Sequence, residues 1–101
     1  MNLAELENKH PEYTAKWRDA GIELSDADNG RFVSLHHQGE AVAIVRDFER
    51  RPDLVEFAAL ITEEWPVAFP GGFLPDDPIK ARDGERQRWL PKSAPAAEET
   101  M

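Results

Sequence analysis

The chain has 101 residues, no cysteine, and 12 Lys plus Arg against 20 Asp plus Glu, for a net charge of −8. That charge repels nucleic-acid phosphates and anionic lipid, and the lack of thiols excludes disulfides, thiolate nucleophiles, iron–sulfur clusters and cysteine zinc sites. A small cysteine-free chain that starts without a basic n-region and an apolar h-region points to the cytoplasm rather than secretion, and apolar runs such as Ala41 to Val45 are too short to span a membrane.

Asn2, followed three residues later by Glu5, forms a capping-box signature. Leu3, Leu6, His10, Tyr13, Trp17 and Ala20 follow at helical spacing, so an N-terminal helix is expected. Pro11 interrupts it, which predicts a kink, or a short helix over 3–9 and a second over 11–20 with proline in its first turn. Gly21 is placed to end it.

Residues 22–47 change period. Ile22 and Leu24 alternate with polar residues, Asn29-Gly30 is a hairpin signal, and Phe32, Val33 and Leu35 are strand formers. Gln38-Gly39 marks a second turn. Ala41 to Val45 lacks polar alternation, which predicts a central strand or one covered on both faces. The expectation is a meander of two or three antiparallel strands.

Arg51-Pro52-Asp53 reads as a helix start, and Leu54, Phe57, Ala58, Ile61 and Trp65 lie at helical spacing up to Pro66. Residues 67–75 have apolar side chains without a period and read as an extended strap. The fold class is therefore α+β, with a small domain over residues 1–75 and a flexible polar tail over 76–101. The expected core is Trp17, Val33, Leu35, Val42, Ile44, Leu54, Phe57, Ile61 and Trp65.

No catalytic, cofactor-binding or metal-ligating set emerges. His36 and His37 are neighbours on a strand and point to opposite faces, so a site made from them with His10 lacks convergence. Asp26 to Gly30 fails the register of a calcium loop, because His36 stands where a bidentate Glu is needed. Gly71-Gly72 lacks the lysine of a phosphate loop.

Two features remain. Tyr13, Trp17, Phe57, Trp65, Phe69 and Phe73 form a large aromatic set for so small a chain, and residues 79–92 hold five basic residues against two acidic ones. Arg86, Arg88, Trp89 and Leu90 in that basic stretch have the composition of a partner-binding segment with an aromatic anchor. The leading expectation is a non-enzymatic protein–protein interaction module of bacterial or phage-like character: a small acidic adaptor, inhibitor or regulator that binds another protein and needs no cofactor. The alternative is an assembly subunit of a homo-oligomer or phage particle, with Leu3, Leu6, Tyr13 and Trp17 as the seam between copies. The third reading is a small enzyme or metal protein using His10, His36 or His37.

Overall fold

The computed structural model describes residues 1–48, 51–62, 65–69 and 71–89. The chain begins with the predicted capping box: the Asn2 side chain accepts from the Glu5 amide at 2.9 Å, and the Glu5 carboxylate accepts from the Asn2 amide at 3.0 Å. This box starts α1 (Leu3–Lys9), and Pro11 opens a separate α2 (Pro11–Asp19). Proline at the first helical position forfeits only an amide that has no intrahelical partner. An ion pair between Arg18 and Glu7 ties the two helices together. Gly21, at φ +85°, ends α2 where a side chain would meet backbone strain.

Five strands follow: β1 (Ile22–Ala27), β2 (Phe32–His37), β3 (Glu40–Phe48), β4 (Arg51–Thr62) and β5 (Trp65–Ala68). They form one antiparallel sheet in the order β1-β2-β3-β4-β5. Asp28, Asn29 and Gly30 all take positive φ in the first turn, and Gln38 and Gly39 (φ 53° and 81°) make the two-residue turn between β2 and β3.

The sheet corrects one expectation and meets another. Residues 51–62 form β4, not a helix, so the meander has five strands rather than two or three. Val55, Phe57, Ala59 and Ile61, spaced by two, face the core and are buried. Leu54, Ala58 and Leu60 point to the other face. Leu54, Phe57, Ala58 and Ile61 also fit a helix, and tertiary pairing with β3 decides between the periods. The expectation for β3 holds in its first form: it is the central strand of the five. In the β2–β3 register Leu35 pairs with Ala43 and His36 with Ala41, so Val42 is an extra residue in a bulge. The bulge turns both Val42 and Ala43 into the core, which removes the alternation from the sequence.

One face of the sheet carries the core. Leu24, Leu35, Ala43, Ala59 and Val67 lie in one cross-strand row, and Val33, Val45 and Phe57 in the next. Leu6 and Trp17 pack on them from the helices, with Leu3 and Tyr13 alongside. Leu6 and Trp17 of the stripe considered above as a seam between copies are therefore spent inside the chain, with Leu3 and Tyr13 half-buried beside them. Ile44 and Leu54, expected in the core, are half-buried on the opposite face, and the Trp65 side chain lies outside the described residues.

Of the strap expected over 67–75, Val67 and Ala68 belong to β5 instead, whereas residues 71–75 lie outside helix and strand and bury Leu74 and Pro75. The Trp17 indole Nε1 donates to the Pro75 carbonyl at 2.9 Å, and Lys16 bonds Asp76 at 2.9 Å. That carboxylate raises the Lys16 ammonium above its ordinary pKa. The strap leads into α3 (Pro78–Trp89), which occupies part of the segment expected to be a flexible tail. Asp77 caps α3: its carboxylate accepts from the Ile79 and Lys80 amides, both at 3.1 Å. Residues 90–101 lie outside the described residues. Ile79 and Ala81 join the same core, so all three helices share one face of the sheet. No described helix is long and apolar enough to cross a membrane.

Two substitutions check this architecture by chemical denaturation. Phe57→Ala, at a fully buried position, is expected to cost about 3–5 kcal/mol. Gly39→Ala meets no atom within 4 Å but must adopt φ +81°, so a loss of about 1–2 kcal/mol from backbone strain alone is expected. A third tests the clasp between α2 and the strap. Trp17→Phe keeps an aromatic ring but strands the Pro75 carbonyl, and a loss of at least about 1–3 kcal/mol is expected.

Candidate functional site

α3 crosses the core face of β3 and β4 with few apolar side chains of its own. Its fifth residue, Arg82, is only 7% exposed. The Arg82 guanidinium is hydrogen-bonded to Asp83 through Nε at 3.1 Å and lies within ion-pair distance of Glu40 at 3.2 Å, although its buried Nη1, the atom nearest Glu40, makes no hydrogen bond among the described residues. Glu40 is the first residue of β3, just after the Gln38-Gly39 turn. The ion pair therefore ties the middle of α3 to one end of the sheet.

One helical turn further on, Arg86 reaches the same end. Its Nη2 lies 3.4 Å from the Ile61 carbonyl and 3.9 Å from the Glu40 carboxylate. Both distances are long for a charge-assisted contact, which is normally about 2.7–2.9 Å. Around Arg86 opens a groove of about 450 Å³, lined by Glu40, Ala41, Leu60, Ile61, Thr62 and Arg86. The groove draws on the start of β3, the end of β4 and the last turns of α3, residues far apart in sequence. Its wall is part apolar and part polar, the mixture that suits a protein or peptide side chain.

Arg88 points elsewhere. It is 72% exposed on its side chain and forms an ion pair with Glu85, one turn earlier, at 2.8 Å. Trp89 is the last residue of α3, its side chain lies outside the described residues, and Leu90 does so entirely. Among the four predicted partner-binding residues, Arg86 is thus in the groove and Arg88 on the solvent side of the same helix. Glu40, Ala41, Leu60, Ile61 and Thr62 were not legible as site residues.

The histidines do not converge. His36 lies on the sheet face turned away from the helices, with its Nε2 2.8 Å from the Ser34 hydroxyl. His37 points the other way, towards Gly21, and His10 sits between α1 and α2 edge-on to Tyr13 at 6.2 Å. No group of three or more His, Asp or Glu is placed to hold a metal ion among the described residues.

Two apolar surfaces remain. Phe73, 48% exposed, stacks on Phe69 at 5.6 Å, and Phe69 meets Phe57 edge-on at 5.3 Å. The second lies on the sheet face turned away from the helices, where Phe32, Ile44 and Leu60 are half-buried and Ala58 is fully buried. No protein-family model, curated protein or solved structure matches this chain.

Proposed function

We propose that this chain is a non-enzymatic protein–protein interaction module, a small acidic adaptor, inhibitor or regulator acting in the cytoplasm. It binds another protein through the last two turns of α3 and the adjoining groove. The observation that carries this reading is the Arg86 guanidinium, held at the groove wall by contacts of 3.4 and 3.9 Å. Among the described residues, Glu40 stands closer to Arg82, at 3.2 Å, than to Arg86. A carboxylate on the partner gains a bidentate contact from Arg86 at little cost to the fold. An apolar side chain beside that carboxylate fits against Ala41, Leu60 and Ile61.

The partner segment is therefore acidic with an adjacent apolar residue, although the whole chain carries −8. The basic end of α3 supplies the local attraction: Arg86 and Arg88 stand in its last turn, at the helix end that favours cations. Trp89, at the helix terminus, is the aromatic anchor of this reading. A hydrolytic or metal-dependent role for His10, His36 and His37 has no geometric support, because the three imidazoles stand in separate places.

Capture of a binding protein from native extract tests the reading, with wild-type bait beside Arg86→Ala and Trp89→Ala baits. Reproducible capture of one protein, weakened at least about tenfold by either substitution with the melting temperature unchanged, is the expected result. A fall in melting temperature for Trp89→Ala with capture intact assigns Trp89 to the fold and overturns its role as anchor.

A further inference from the structure

We propose that the outer edge of β1 is a docking edge for a basic, extended segment of another protein, which adds to the five-stranded sheet as a further strand. β1 and β5 are the two edge strands. β5 is blunted: it has four residues, and its Pro66 has no amide to donate. β1 runs for six residues, Ile22–Ala27, without a proline. Its six pairs with β2 keep one register, whereas each of the other three strand pairings carries a register shift. β1 is thus the regular edge of the sheet. Bulges, proline, lysine and inward charges are the usual protections of an edge. β1 has no lysine, and Asp26, its charge on the helix side, is engaged by the Leu3 amide at 2.6 Å.

The backbone shows which groups are on offer. In an antiparallel pair the amide and carbonyl of one residue point to the same side, and successive residues alternate. The Ala27 carbonyl turns inward, where it accepts from the Gly30 amide at 3.1 Å. Glu23 and Ser25 share its direction, so Ile22, Leu24 and Asp26 aim their backbone groups away from β2. Among the described residues neither Leu24 nor Asp26 has a backbone partner on that side. The side chains of Glu23, Ser25 and Asp26 are exposed along this edge. An added strand completes the ladder, and its main-chain bonds supply affinity.

Charge selects the occupant. Residues 22–28 hold Glu23, Asp26 and Asp28 and no basic residue. A second copy seated edge to edge brings the same acids against them, on two chains of −8 each. A basic strand meets the opposite charge instead. Its side chains alternate between the two faces of the sheet. On the face turned away from the helices, lysine or arginine stands across from Glu23, an opposite-charge cross-strand pair. On the helix side, an apolar residue covers Leu24, which is half-buried at the rim of the core. The segment that fits is therefore one of alternating basic and apolar residues.

The inference does not depend on the α3 groove, which takes a segment of the opposite charge. The full chain is titrated to millimolar concentration with a capped heptapeptide of alternating lysine and valine, and followed by amide NMR and hydrogen exchange. The expected result is binding with shifts centred on β1 and slower exchange of the Leu24 and Asp26 amides. Glu23→Lys combined with Ser25→Lys, both at exposed positions, raises the dissociation constant at least about tenfold. Arg86→Ala leaves it unchanged, which keeps this edge distinct from the groove. Circular dichroism checks that each variant is folded; if the double variant is not, Glu23→Lys alone carries the comparison. Absence of binding overturns the proposal, as do shifts centred away from β1 or a double variant that binds as wild type does. Equal binding of the same peptide N-methylated at every residue, which keeps the charges and loses the donors, overturns strand addition. Equal binding of the peptide with glutamate for lysine overturns the choice of a basic segment.

Discussion

β3 has two edges, and each must be hydrogen-bonded. It is the middle strand of five, with Val42, Ala43 and Val45 fully buried, so water cannot satisfy its backbone amides and carbonyls. The two-residue Gln38-Gly39 turn delivers β2 to one edge at short range. The other edge needs a strand of similar length, and residues 51–62 are the next segment of chain able to supply it. A helix closes its backbone bonds internally and would leave that edge bare beneath the core. Pairing therefore outweighs the helical spacing of Leu54, Phe57, Ala58 and Ile61. The same demand passes outward to β5, whose four residues include Pro66, a residue suited to an edge strand because it has no amide to donate.

A meander of consecutive strands leaves the connections at the sheet ends and the helices free to choose a face. All three choose the same one, because the buried residues of β1 to β4 alternate onto that face and Trp17 fixes the strap there through the Pro75 carbonyl. α3 arrives last and brings little apolar surface of its own. Hydrophobic burial alone gives such a helix a weak preference for its register on the sheet. Arg82 supplies the missing specificity: its charge is buried in the seam and must keep Glu40 and Asp83 as partners, because a buried guanidinium without them is costly. The ion pair thus fixes where along the sheet α3 ends, and with it the position of Arg86.

Local signals were legible in the sequence. The capping box of Asn2 and Glu5, the break at Pro11, the stop at Gly21 and the Gln38-Gly39 turn each depend on a few adjacent residues and fold as read. β4 was misread because residues 54–61 satisfy both periods, and the deciding partner is a different strand. α3 was missed although Asp77-Pro78 is a helix start of the kind inferred at Arg51-Pro52; the charge and the Gly84 of the segment masked it. The α+β class survived these errors because helices and an antiparallel sheet are present either way. The groove was legible only at Arg86. Its other walls come from the start of β3 and the end of β4, which no spacing in the sequence connects.

The groove opens at the end of the sheet beneath the last turns of α3, where the start of β3 and the end of β4 meet that helix. Arg86 and Arg88 stand in the last turn of α3, the end at which the helix dipole favours cations. The whole chain carries −8, a charge that favours solubility. A local positive charge within an acidic chain selects among partners: it attracts an acidic segment at this one end, while the net charge repels that segment elsewhere.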